Sequence, residues 1–318
     1  MRGMLTTILC LAAGLAGAGA AEPSITEMLE KAKTMAEKDK PAPPENTSEQ
    51  VPDSDAVKAL KLRLQYEVNQ RFDKLQRDNY ALGNLYFDLL KFPAALEAYN
   101  KVLQRDADNI HARAGMAKAY LILGQAELGA QQLDEATKRA VEPWMVGDAD
   151  RLKKWVAAFP EKQEEAKKLK VKAAADAKDA ESRWRLLEMY RYDYPMMLDQ
   201  FVGLLQFREL YAQDRRVTGG ECEWRLMEVF WHFGIRDEAM KLAEKFRETY
   251  PKHWATTGGE ATWRLGDYCE QEKRYQDALK CYNEMVDKFP KHWVNGPRPH
   301  NVPYIQERIA AVNKALKR

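Results

Sequence analysis

The sequence predicts an all-α fold of stacked antiparallel helix pairs, and three observations predict it. The first is an internal repeat. Gly219-Gly220-Glu221-Cys222-Glu223-Trp224-Arg225-Leu226 returns as Gly258-Gly259-Glu260-Ala261-Thr262-Trp263-Arg264-Leu265, and Pro251-Lys252-His253-Trp254 returns as Pro290-Lys291-His292-Trp293, each 39 residues later. A repeat of this length is one helical unit that cannot bury its apolar face alone, so neighbours must stack. The second is periodicity, with apolar residues recurring at spacings of three and four, as in Val57, Leu60, Leu64, Val68 and Phe72. The third is composition. Ala, Leu, Lys, Glu and Arg dominate, while Gly and Pro number only 17 and 14 in 318 residues; such residues lose little rotamer freedom in a helix.

Taken in order, residues 1–20 read as a targeting signal. Arg2 is followed by an uncharged run, Met4 to Ala20, that ends in the small residues Ala18-Gly19-Ala20-Ala21. An uncleaved anchor is the alternative, but the Ala/Gly-rich second half is weakly hydrophobic for a span. Either way the remainder is expected to be exported, as a periplasmic or secreted protein associated with the cell envelope. Residues 21–53 hold one short helical pattern, Ile25 to Lys38, and then a Pro-rich polar stretch with little to bury, which reads as a flexible tether. Ser54 is placed to cap the helix that follows. Residues 54–143 form an N-terminal helix and a first block of helix pairs. Residues 144–179 form a degenerate unit or charged connector, with Trp155 and Pro160 followed by a Lys/Glu/Ala-rich half. Residues 180–318 form a second block that ends in a capping helix, with Tyr304, Ile305, Ile309 and Val312 facing inward. The units start near residues 76, 110, 144, 180, 220 and 259.

The pattern within the units resembles the tetratricopeptide repeat. Leu265-Gly266, Ala278, Tyr282 and Pro290 stand at its spacing, with Cys269 at the place of its first aromatic. The preceding unit offers Leu226, Phe230, Ala239, Phe246 and Pro251. Near the start, Leu82-Gly83, Tyr86, Ala95 and Tyr99 fit, although Ala107 replaces the closing Pro; Met116-Ala117, Tyr120 and Gly129 repeat that pattern 34 residues later. The resemblance covers about residues 76–143 and 180–293, and the spacing and the closing Phe289-Pro290 look like units of bacterial envelope proteins. It implies an α-solenoid whose first helices line a concave groove that binds a peptide or protein.

In that register Trp184, Trp224 and Trp263 fall on the concave side, with packing against the preceding unit as the competing reading. An acid precedes each by three residues (Glu181, Glu221, Glu260) and another follows by four (Glu188, Glu228, Asp267). Offsets of three and four share one helix face, so the predicted site is an acid–Trp–acid stripe repeated three times. It suits a basic or amphipathic partner segment, or, in the alternative reading, a glycan stacked on a Trp ladder. The same spacings also make ordinary helix-stabilising pairs, Glu181–Arg185, Glu221–Arg225 and Glu260–Arg264. Trp254 and Trp293 are expected to plug gaps between units.

Other functions lack their residues. The formal net charge is +2, and the Lys-rich stretch 162–178 alternates with acids, so nucleic acid is a poor fit. His253 and His292 occupy equivalent places in consecutive repeats, too far apart to share a metal, and His300 brings no third ligand. Gly219-Gly220 and Gly258-Gly259 lack the spaced glycines and Lys of a phosphate loop, and no nucleophile elbow or HExxH occurs. No catalytic residue, metal or cofactor is expected, which makes the chain a non-enzyme scaffold. Of the four cysteines Cys10 falls in the targeting signal; the remaining Cys222, Cys269 and Cys281, an odd number without a CxxC, read as buried structural thiols.

Overall fold

The computed structural model describes residues 53–75, 78–193, 195–296 and 304–317. The targeting signal, nearly all of the tether and His300 lie outside the described residues. Among those residues the structure is fifteen α-helices and one 3-10 turn, without a strand. An N-terminal helix, α1 (Asp55–Leu75), precedes the pairs α2/α3 (Asn79–Asp88, Phe92–Leu103) and α4/α5 (Ile110–Ile122, Ala126–Lys138). A long helix, α6 (Pro143–Ala175), leads to the pair α7/α8 (Ala180–Tyr192, Met197–Leu210). The short helix α9 (Arg215–Thr218) joins it to α10/α11 (Glu221–Phe233, Arg236–Thr249). The short α12 (Trp254–Thr257) then leads to α13/α14 (Glu260–Gln271, Tyr275–Lys288), and the turn Trp293–Asn295 precedes the closing helix α15 (Tyr304–Leu316).

Local chemistry sets the starts. Ser54 Oγ accepts from the Val57 N–H at 3.2 Å, and the side chains of Asp78, Asn109 and Asp179 accept from the N–H groups of Ala81, Ala112 and Ser182. Each cap satisfies a donor that the first helical turn leaves open. The Ser182 N–H holds the Asp179 carboxyl down to about 2. Small residues set the approach within pairs. Ala95 and Ala278 are fully buried, and the Tyr99 ring is seated between Gly83 and Gly115, where a Cβ on either would lie 2.5 Å from a ring carbon.

The connector is a single helix packed into the core. α6 runs 33 residues without a break and packs on α4, α5 and α7. Its buried face is Ala149, Leu152, Phe159, Ala166 and Ala173, and its charges face outward. Pro160, noted in the sequence ahead of the Lys/Glu/Ala-rich half, lies within this helix and removes one of its N–H donors.

α1 ties distant units together. Its stripe Val57, Leu64 and Val68 is buried, and it packs on α2, α8 and α10. Arg71 Nη1 donates to the His232 carbonyl at 2.7 Å, and His232 Nε2 meets the Asp88 carboxylate at 2.7 Å. One core runs from Val57 to Ala239 and a second from Trp224 to Val312, joined through the flanking side chains of Trp231 and Leu242.

Cys222, Cys269 and Cys281 are free and buried. Burial pushes all three thiols up, Cys269 to about 12 and Cys281 to about 11. The thiolate is the reactive form, so these three cysteines are expected to resist a thiol reagent at neutral pH in the folded chain and to react together in denaturant. Modification of any of them under native conditions would contradict this packing.

Candidate functional site

The three repeated Trp residues do not face solvent. Trp184, Trp224 and Trp263 are 5%, 2% and 5% exposed. Each packs on an aromatic of its own second helix: Trp184 on Phe207 at 5.1 Å, Trp224 on Phe246 at 5.3 Å and Trp263 on Tyr282 at 5.4 Å. They fill the space inside their units, so the expectation of an exposed ladder on these residues is corrected. The opposite correction holds for Trp254 and Trp293. Expected as plugs, they are 55% and 59% exposed.

The linker geometry explains the reversal. His253 caps α12 through Nδ1, which accepts from the Ala255 N–H at 3.2 Å, while its Nε2 meets Glu221 at 3.1 Å. His292 repeats both contacts with the Val294 N–H at 3.5 Å and Glu260 at 3.0 Å. The next residue is then turned outward with one edge resting on the core indole. Trp254 meets Trp224 at 5.5 Å and 69°, and Trp293 meets Trp263 at 5.7 Å and 74°. The Trp254 Nε1–H donates to Glu221 at 3.2 Å, and Trp293 stacks on Tyr304 at 5.9 Å.

The acids of the predicted stripe are all partnered. Glu221 accepts from Arg225 Nε at 2.7 Å and Glu260 from Arg264 Nε at 3.1 Å, two of the three i,i+4 pairs expected from spacing; in place of the third, Arg185 donates to Glu165. Glu181 instead accepts from Arg216 of the linker at 2.9 Å. The other three reach across to the next unit: Glu188 to Arg225 at 3.8 Å, Glu228 to Arg264 at 3.9 Å and Asp267 to Arg308 at 3.0 Å. Arg191 also stands 2.6 Å from Glu228. Burial raises the Glu221 carboxyl, but Arg225, Trp254 and His253 outweigh it and the net shift is downward. At Glu228 burial wins over Arg191, Arg264 and Arg225, and the carboxyl titrates above its ordinary range.

Four of the predicted residues meet in one place. Glu181, Trp184, Glu188 and Glu221 line a cleft of about 370 Å³ between consecutive linkers. Its floor is the Trp184 indole, with the guanidiniums of Arg216 and Arg225 at 5.5 and 5.8 Å from the ring centre. Its walls are the Arg215 turn on one side and the His253-Trp254 turn on the other. Trp224, Glu228, Glu260, Trp263 and Asp267 lie outside this cleft. A larger cleft of about 480 Å³, between α1, α6, α7 and α8, contains none of the predicted residues; there burial raises the Asp199 carboxyl against the opposing charge of Lys170. No set of three His, Cys, Asp or Glu side chains among the described residues is arranged to hold a metal ion. None of the described helices is long and apolar enough to cross a membrane.

Residues 80–142 match the model of the tetratricopeptide repeat family. No curated protein matches the chain. Among solved structures, the crystal structure of YrrB, described as a TPR protein with an unusual peptide-binding site, aligns at 15% identity over 71% of this chain and 93% of that one, with a TM-score of 0.29.

Proposed function

We propose that this tetratricopeptide-repeat chain is a non-catalytic scaffold that binds a peptide or protein partner along the edge where its consecutive units meet. One observation carries the reading. Two successive linkers present a solvent-exposed indole at a similar tilt to a core indole, each directly after a His that meets the Glu at the start of its unit, and the first of them borders a cleft with an indole floor. A large aromatic held rigid and half exposed is the kind of group that dominates binding energy at protein interfaces. The chain is placed in the cell envelope, because Arg2 and the uncharged run to Ala20 read as an export signal. The glycan alternative loses Trp184, Trp224 and Trp263 as stacking platforms, since all three are buried.

The test is a crosslinked capture from native envelopes, with the wild-type chain beside Trp254→Ala/Trp293→Ala. Both indoles are outside the core, so the variant keeps its helicity. Loss of two interface aromatics is expected to reduce recovery of a specific protein by at least roughly tenfold. Equal recovery by both chains would move the site away from this edge.

A further inference from the structure

We propose that the larger cleft, between α1, α6, α7 and α8, binds a small zwitterion bearing an apolar side chain, either a free amino acid or a short peptide. The site is separate from the indole edge and does not depend on the scaffold reading. Its volume of about 480 Å³ is of the size that holds a small molecule. Leu186, Leu187, Val202 and Phe207 give it an apolar wall, and six charged side chains also line it.

Those charges balance, with Lys61, Lys170 and Arg183 against Asp53, Asp199 and Glu209, so the cleft as a whole favours neither an anion nor a cation. Four of the six are engaged by the fold. Lys61 pairs with Asp53, which also accepts from Gln206 at 2.9 Å. Arg183 donates to the Ala173 carbonyl at 2.9 Å, and Glu209 accepts from the Ser54 hydroxyl at 2.6 Å. Lys170 and Asp199 remain. Neither takes part in a hydrogen bond or an ion pair among the described residues, although the charge of Lys170 acts on Asp199. The Lys170 ammonium lies 5.5 Å from the centre of the Tyr190 ring, which lines the same cleft. Asp199 stands in the first turn of α8, where the helix dipole favours an acid, but no side chain caps that turn. Burial pushes the Asp199 carboxyl up, as expected of a charge held beside apolar walls with no donor to meet it. A ligand that brings an ammonium to Asp199, a carboxylate to Lys170 and an aliphatic group to the wall meets all three needs at once. A ligand with one charge would leave either Lys170 or Asp199 unmet.

The test titrates the full chain by calorimetry with leucine, leucylleucine, leucinamide, which lacks the carboxylate, and N-acetylleucine, which lacks the ammonium. At least one zwitterion is expected to bind at least roughly tenfold more tightly than either one-charge derivative, because charge-assisted hydrogen bonds are the stronger kind. The tighter of the two zwitterions tells a free amino acid from a short peptide. Asp199→Asn should remove the discrimination against N-acetylleucine, and Lys170→Met the discrimination against leucinamide. Neither substitution takes a hydrogen bond or ion pair from the fold, so both variants keep wild-type helicity. Binding should weaken as the pH falls through the raised titration of Asp199, because only the carboxylate form attracts the ammonium, and Asp199→Asn should lose that dependence. An Asp199 that served only the α8 dipole would alter unfolding and leave all of these readouts unmoved. No binding of either zwitterion at millimolar concentration, equal binding of zwitterions and derivatives, or discrimination unchanged in both variants would overturn the assignment. Trp254→Ala/Trp293→Ala should bind the zwitterion like the wild type, so failure of this site and failure of the indole edge are read separately.

Discussion

Trp224→Ala is expected to destabilise the chain by about 3–5 kcal/mol, while Trp254→Ala should cost less than about 1 kcal/mol. The two residues touch each other, so position alone does not separate them. Burial does: Trp224 is 2% exposed and Trp254 55%. Removing the buried indole leaves a void against Phe246 and takes away the surface on which Trp254 rests, and close-packed neighbours relax only partly into such a void. Removing the outer indole returns one ring to water it already half contacts and takes one donor from Glu221 Oε2, which His253 still meets while Arg225 holds Oε1. Urea unfolding followed by helical circular dichroism measures the difference. Trp emission gives a second measure. Trp144, Trp254 and Trp293 are more than half exposed and should supply a red component quenched by acrylamide, one that Trp254→Ala/Trp293→Ala reduces and Trp224→Ala does not. Similar stability losses in the two single variants would contradict the division between core and edge indoles.

The helix pairs were legible because duplication writes them twice. Gly-Gly-Glu, Trp-Arg-Leu and Pro-Lys-His-Trp mark matching places in consecutive units, and the caps and small residues at those places do what their types predict. Which Trp faces solvent was not legible. The first helix of a unit is enclosed by its own second helix and by both neighbouring units. In α10, Cys222, Glu223, Trp224, Leu226, Met227, Val229, Phe230 and Phe233 are all buried, so a helical period has no single wet face to select. Trp254 and Trp293 sit in linkers without any period. Their outward pose follows from the His cap and its Glu partner, a contact that joins residues 32 apart and that spacing along the chain does not reveal. The acids were placed on the right elements, but their partners in the next unit, Arg225, Arg264 and Arg308, depend on how the units stack. The continuity of α6 was hidden by Pro160, which ordinarily ends a helix.

Gly220→Ala is expected to cost about 2–5 kcal/mol, from two separable causes. Gly220 caps α10 at φ +94°, where an L-residue is strained by roughly 1–2 kcal/mol. A Cβ there would also lie 2.5 Å from Tyr250 Cγ, and overpacking of that kind costs a further ~1–3 kcal/mol. Gly124→Ala isolates the first cause. Gly124 has φ +78° with nothing within 4 Å of its Cβ position, so it should lose only the conformational part. The difference between the two variants measures how firmly Tyr250 is held. That matters at the edge, because Gly220 is followed directly by Glu221, the carboxylate that orients both His253 and Trp254. If Tyr250 is rigid, Gly220→Ala must shift the start of α10, and recovery of the captured partner should fall along with stability. If the two variants lose stability equally, Tyr250 yields to the new methyl group and the edge keeps its geometry. Gly259, at φ +89° and 2.6 Å from Phe289 Cγ, repeats the arrangement one unit later, so Gly259→Ala should reproduce the larger loss and provides an independent check within the same chain.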